Sequence, residues 1–258
     1  MIEITSYVAT ALLLITFATI YLAVTQANAG KTFYIRPFPA LDAIQEAVGL
    51  CAERGTPIYN PFGDTGISSA EQTGSQMVTL SVLQYVTELA GEMGVEVIVG
   101  TTATQLIPMI DDVLRTTYEA GGMPELYNYA NIRYAPTQIA YQALTNRIGV
   151  VDKPAAAIQI GMWYGGSVGH TAILRKHVDF LVSGTDYLTF LPFLAAFADF
   201  TVFFEEIYGV STYLSDDQVI RGTVWAEDIL KALLLGIVII GTLLWLVGFQ
   251  QFALWVAH

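Results

Sequence analysis

Two apolar runs without a charged residue bracket the chain. The first covers residues 5–25, TSYVATALLLITFATIYLAVT. Its 21 residues, at a rise of about 1.5 Å each, match the roughly 30 Å hydrocarbon core of a bilayer. The second covers 232–249, ALLLGIVIIGTLLWLVGF. Tyr7, Tyr21, Trp245 and Trp255 stand near the ends of these runs, where amphipathic rings favour the membrane interface. Both runs read as transmembrane helices. A cleaved signal peptide ending near 27–29 is the rival for the first, but its leading residues hold Glu3 and no Lys or Arg, the wrong charge for that role.

Between the runs, residues 32–228 switch repeatedly between the period of a helix and that of a strand. Leu41, Ile44, Val48 and Cys51 share one helical face that stops at Gly55. Short strands are predicted at 56–60, 95–99, 131–135, 155–160 and 180–183. Ser69 and Gln72 fit a capping box, opening a helix with Leu80, Leu83, Val86 and Ala90 inward and Gly94 as its stop. Further helices are expected over 106–120, from Pro136 to Gly149, and from the glycine-rich stretch to about 178. This alternation predicts a doubly wound, mostly parallel Rossmann-like α/β sheet over 32–228, flanked by one N-terminal and one C-terminal transmembrane helix. The apolar stretch 187–204, YLTFLPFLAAFADFTVFF, is expected as a buried or membrane-docked helix, since Asp199 would be costly in lipid.

Charge sets the topology. All 11 Lys and Arg lie between residues 31 and 231, so the positive-inside rule places the domain in the cytoplasm and both termini outside a multi-pass cell membrane protein. With 23 Asp and Glu the net charge is −12, which argues against nucleic acid as a partner. The single cysteine, Cys51, excludes an intramolecular disulfide and reads as core. Small residues at Ala9, Thr16 and Ala23, at Gly241 and Gly248, and at Ala232 and Gly236 suit close helix–helix approach. Partners are therefore expected to be the lipid bilayer and copies of this chain or other membrane subunits.

Candidate chemistry concentrates after the predicted strands, where open parallel sheets bind ligands. Those loops carry Asp64, Thr101 and Thr102, then Gly161, Gly165, Gly166, Ser167 and His170, and finally Asp186. The glycine-rich segment 161–170 lacks the Lys of a P-loop, and Gly63 and Gly66 give only part of a dinucleotide fingerprint. With no Lys or Arg in these loops, any ligand is expected to be small and neutral, held by 161–170 with 100–104; no cofactor is indicated. Ser167, His170 and Asp186 have the residue types of a hydrolase triad, but Ser167 lacks the G-x-S-x-G elbow. His170 and His177, seven apart, read as helix-surface histidines, and no zinc motif is present.

The run 68–122, SSAEQTGSQMVTLSVLQYVTELAGEMGVEVIVGTTATQLIPMIDDVLRTTYEAGG, resembles an uncharacterised family of bacterial and archaeal membrane-anchored proteins. The later FLPFLAAFADFTVFFEEIYGVSTYLS is similar to a matching segment of that family. The resemblance implies a Rossmann-like domain with flanking membrane helices and carries over no activity. The expected function is a non-catalytic scaffold subunit of a membrane assembly; the alternative is an enzyme or small-ligand sensor using the strand-end crevice.

Overall fold

The computed structural model describes residues 7–33, 39–63, 66–67, 69–164, 167–203, 206–207 and 218–246. The chain divides into two units: residues 38–214, and residues 1–37 together with 215–258.

The first unit is built on strand–helix alternation. Helix α2 (Pro39–Arg54) buries Leu41, Ile44, Val48 and Cys51 on the face that the sequence indicates. It leads into β1 (Ile58–Pro61), α3 (Ala70–Met93), β2 (Val97–Thr101), α4 (Ile107–Ala120), β3 (Ile132–Tyr134), α5 (Gln138–Val151), β4 (Ala156–Ile160), α6 (Val168–His177) and β5 (Phe180–Thr185). Ser69 caps α3 by accepting a hydrogen bond from the Gln72 N–H, and Gly94 ends it in the left-handed region at φ 71°. Helix α5 starts two residues later than expected. Thr137, not Pro136, leads it, as its hydroxyl accepts from the Ala140 N–H.

The stretch 187–204 corrects the sequence reading. It is not one helix but a short helix, α7 (Leu191–Phe197), followed by a sixth strand, β6 (Phe200–Phe203). Asp199 makes the break. Its carboxylate accepts from the Leu181 N–H at 2.9 Å and pairs with Arg175, which ties the start of β6 to β5. The run is apolar because part of it packs as α7 against the sheet and part pairs as the edge strand β6.

The six strands run in the order β3-β2-β1-β4-β5-β6, and every neighbouring pair is parallel. This is the Rossmann-like order, and its direction reverses between β1 and β4. Helices α2, α3 and α4 pack side by side on one face, and α5, α6 and α7 on the other. The central strands β1, β2 and β4 are buried along their whole length, as strands covered on both faces must be.

The second unit contains α1 (Tyr7–Asn28) and α8 (Gln218–Leu246), which pack against each other. Contact is closest at small residues. A side chain at Gly222 would meet the Phe33 ring at 3.1 Å and the Ala23 carbonyl oxygen at 3.3 Å. The shielded stripe of α1 is Leu12, Thr16, Thr19, Ala23 and Ala27; that of α8 is Gly222, Ala226, Leu230, Leu233 and Ile237. The outward positions are large and apolar: Leu14, Phe17 and Leu22 on α1, Leu235, Val238 and Leu243 on α8. Lys31 stands over the rings of Phe33 and Trp225, which are themselves 5.2 Å apart.

Among the described residues one helix, over Thr10–Asn28, is long and apolar enough to cross a membrane. Helix α8 has the length, but Arg221, Glu227, Asp228 and Lys231 occupy its first half. The end of its apolar run, 247–249, lies outside the described residues, as do Gly248 and Trp255.

Candidate functional site

The switch point between β1 and β4 brings together the ends of several elements. Tyr59 of β1 sends its side chain toward α5, where its hydroxyl meets Thr145 Oγ1 at 3.2 Å. Asn60, the next residue, therefore faces the opposite layer, which holds α3. Tyr141, near the start of α5, lies across the strand ends. Its hydroxyl donates toward the carbonyls of Phe62 at 2.8 Å and Gly100 at 2.9 Å, closing the tips of β1 and β2 under α5. Gly100 has to be glycine here: a Cβ would stand 2.5 Å from the Tyr59 hydroxyl and 3.0 Å from the Tyr141 ring. Gly161 plays the same part at the end of β4. Its φ is 146°, and a Cβ would stand 2.6 Å from Thr79 Oγ1 on α3.

Three near-parallel rings fill the α5 side. His170 in the first turn of α6 lies 4.7 Å from Tyr141 and 4.9 Å from Trp163, measured between ring centroids. All three are essentially inaccessible to solvent. His170 Nδ1 pairs with Thr145 Oγ1 at 3.2 Å, which extends the chain from Tyr59 through Thr145 to the imidazole. Burial alone holds the His170 pKa down at about 3, so the ring is neutral at physiological pH. Burial likewise pushes Tyr59 up to about 12, against the opposing hydrogen bond from Thr145. Behind the rings a second polar chain crosses β5, β4 and α6: Ser183 Oγ to Gln159 at 3.2 Å, and Gln159 to Thr171 at 2.9 Å.

Several buried polar atoms here have no hydrogen-bond partner among the described residues: the Trp163 indole nitrogen, His170 Nε2, both side-chain amide atoms of Asn60, and Ser75 Oγ on α3. Such atoms are rare in folded proteins, and they concentrate where a parallel sheet takes its ligand. All of these atoms belong to neutral side chains, so they offer hydrogen bonds and aromatic surface without a positive charge.

The residues expected from sequence fall into three groups. Gly161, Ser167 and His170 come together around the end of β4 and the start of α6. Thr101 is buried at the end of β2, where its hydroxyl accepts from the Ala103 N–H at 3.1 Å and so shapes the loop, while Thr102 beside it is half-buried. Asp186 is half-buried beyond β5. Asp64, Gly165 and Gly166 lie outside the described residues.

One histidine reading changes. His170 is not on a helix surface but buried, because the first turn of α6 packs beneath α5 and the residues after β4. His177 is turned elsewhere, toward Asn146 Oδ1 at 2.9 Å. With Thr145 on Nδ1 and burial as the cause of its pKa shift, His170 has, among the described residues, no carboxylate to orient it as the base of a triad. Among the described residues no group of three His, Cys, Asp or Glu could hold a metal ion. Cys51 is buried as expected, and burial raises its thiol pKa.

Sequence reasoning missed Tyr141, Thr145 and the placement of Asn60. An amide side chain within the otherwise apolar strand IYNP was the available signal for Asn60. Nothing local marked Tyr141, whose role depends on two carbonyls 41 and 79 residues away.

No curated protein and no solved structure is a match for this chain. A family model described as "Domain of unknown function (DUF6754)" matches residues 1–256, essentially the whole chain. On that match, a chain with a Rossmann-like parallel sheet and an apolar N-terminal helix belongs to the DUF6754 family.

Proposed function

We propose that this protein is a membrane-anchored, non-catalytic subunit whose Rossmann-like domain is carried on the cytoplasmic side by two spans, α1 and α8. The observation that carries the reading is the reversed packing of the helix pair. Small side chains such as Ala23, Gly222 and Ala226 are shielded, while Phe17 and Leu235 are 66% and 61% exposed. In water the large apolar groups would be buried first; in lipid, close backbone approach through small residues is what joins helices. Glu227 and Lys231, an ion pair at 2.9 Å, lie within two turns of Trp225 and can reach the interface on that side. The location of all 11 Lys and Arg between residues 31 and 231 supports a cytoplasmic domain.

The test is expression in intact cells with single cysteines placed in the terminal tails and in the domain. An impermeant maleimide is expected to label tails and spare the domain until the cells are permeabilised. Domain labelling in intact cells would reverse the topology. Release of the protein by alkaline carbonate would end the two-span reading.

A second reading, small neutral ligand binding at the β1/β4 switch point, is supported by the buried atoms of Trp163, His170 and Asn60 that lack hydrogen-bond partners among the described residues. Native mass spectrometry of protein extracted with its own membrane is expected to show a retained small molecule. Gly161→Leu should remove it, since the new side chain would run into Thr79. A native mass equal to that of the bare chain in several mild detergents would count against this reading.

A further inference from the structure

The α/β unit is joined to the two apolar helices from a single rim of its sheet. Helix α2 ends at the rim where the strands begin, since Arg54 pairs with Asp179 just ahead of β5. Its first residue, Pro39, is therefore directed toward the rim where the strands end. Strand β6 also finishes at that C-terminal rim, at Phe203. Five residues separate Phe33 from Pro39, and ten separate Ile207 from Gln218. At about 3.5 Å per residue, these tethers reach no more than about 20 Å and about 40 Å.

The same rim carries exposed apolar side chains: Ile67 after β1, Tyr134 and Ile139 about the end of β3, Tyr187 and Leu188 after β5, and Phe203. Ile139 is 81% exposed and Leu188 66%, the latter although it follows the buried strand β5. The connections on this rim, 62–69, 102–106, 135–137, 161–167, 186–190 and 204–207, contain no Lys or Arg. The opposite rim is charged: the pairs Arg54–Asp179, Arg133–Asp152 and Arg175–Asp199 all lie beside strand starts. One end of the sheet is thus built for water and the other is not.

We propose that the C-terminal rim of the sheet is a membrane-facing surface that rests on the interfacial layer of a zwitterionic bilayer through Ile139, Leu188 and Phe203, so that the strand ends around the switch point face lipid. The inference rests on the two-span reading above. Tyrosine and aliphatic tips without basic neighbours suit the interfacial layer. The only charges in these connections are acidic, Asp64, Asp186, Glu205 and Glu206, which selects zwitterionic over anionic headgroups. The bilayer is chosen over a second copy because only five and ten residues of chain lead from this rim to the two apolar helices.

The experiment uses the full chain in phosphatidylcholine vesicles. Buried Cys51 does not compete for label, so Ile139→Cys and Leu188→Cys on the rim, and Lys153→Cys and Lys176→Cys on the opposite end, can each carry one environment-sensitive fluorophore. Spin-labelled lipid is expected to quench the two rim positions at least twofold more than the other two, with blue-shifted rim emission. Equal quenching at both ends overturns the proposal. Rim emission that is already blue-shifted in detergent, with energy transfer between differently labelled copies, also overturns it and assigns the rim to an interface between copies. Alkaline carbonate treatment of the same vesicles separates the two levels. Stripping of the protein defeats the two-span reading, whereas retained protein with unquenched rim labels defeats this proposal alone.

Discussion

The α/β unit and the helix pair use the same apolar residues in opposite ways. In the sheet unit the largest side chains, Trp163, Tyr59, Tyr141, Phe62 and Phe190, are fully buried, and charge is kept to the ends and outer faces. In the helix pair the buried positions among the described residues are Ala23, Ala27, Gly222 and Ala226, while Leu14, Phe17, Leu22, Leu235, Val238 and Leu243 point outward. The first arrangement follows from the hydrophobic effect in water, which favours large groups inside. The second follows when apolar surface gains nothing by burial and contact depends on how closely two backbones approach. The contrast teaches that composition alone does not identify a core; what matters is which size class is hidden.

The largest expected effect tests the burial side of this contrast. Trp163→Ala removes a fully buried ring stacked on His170 and should cost about 3–5 kcal/mol of domain stability. Phe17→Ala, outward on α1, should change it by less than about 0.5 kcal/mol. Urea unfolding of the full chain in mild detergent measures both. Similar costs for the two would break the comparison.

The next effect is on pH dependence. His170 is held neutral by burial, with a pKa of about 3, whereas its unfolded counterpart titrates near 6.5. Because the unfolded chain takes up the proton first, stability should fall as pH drops below about 6.5, by about 1.4 kcal/mol per unit, until the folded value is reached. Thermal unfolding from pH 7 to 4 reads this slope. His170→Phe keeps a ring in the stack and should flatten it; an unchanged slope would place the titration elsewhere.

Two glycines sharpen the contrast further. Gly100→Val drives a side chain into Tyr59 and Tyr141 and should cost about 1–3 kcal/mol. Gly236→Val, where no atom lies within 4 Å of the added carbon, should leave the domain's unfolding midpoint in place. A shift in that midpoint for Gly236→Val would mean that the α8 surface bears on domain stability.

The smallest effect concerns the strand tips. Tyr141→Phe leaves the ring in place but removes the donor to the Phe62 and Gly100 carbonyls, at a cost of about 1–2 kcal/mol. Hydrogen exchange should locate the loss at the ends of β1 and β2. Uniform loosening of the whole sheet would assign Tyr141 a broader packing role.

How much of this was legible in the sequence depended on the range of the interaction concerned. Five strands, the caps at Ser69 and Gly94 and the core face of α2 could be read, because period and capping are properties of neighbouring residues. The sixth strand could not. Its four residues follow a short apolar helix, and the break between them is made by Asp199 acting on Leu181 and Arg175, 18 and 24 residues away. At the candidate site, Gly161 and the 161–170 loop were visible through glycine content. His170 was misplaced, because helical spacing tells which positions share a face and not which layer covers that face.

The sequence by itself determined that this is an α/β chain with a long apolar N-terminal helix, a set of strand-end loops without Lys or Arg, and a buried lone cysteine. Each of these follows from local composition or periodicity. Only the tertiary structure decided the strand order β3-β2-β1-β4-β5-β6, and with it which loops meet at the switch point. It also decided that Tyr59, Thr145 and His170 form one chain, and that Ala23 and Gly222 lie in contact. These depend on the pairing of segments up to about 200 residues apart, and such pairing is settled by the packing of whole elements; no residue pattern along the chain encodes it alone.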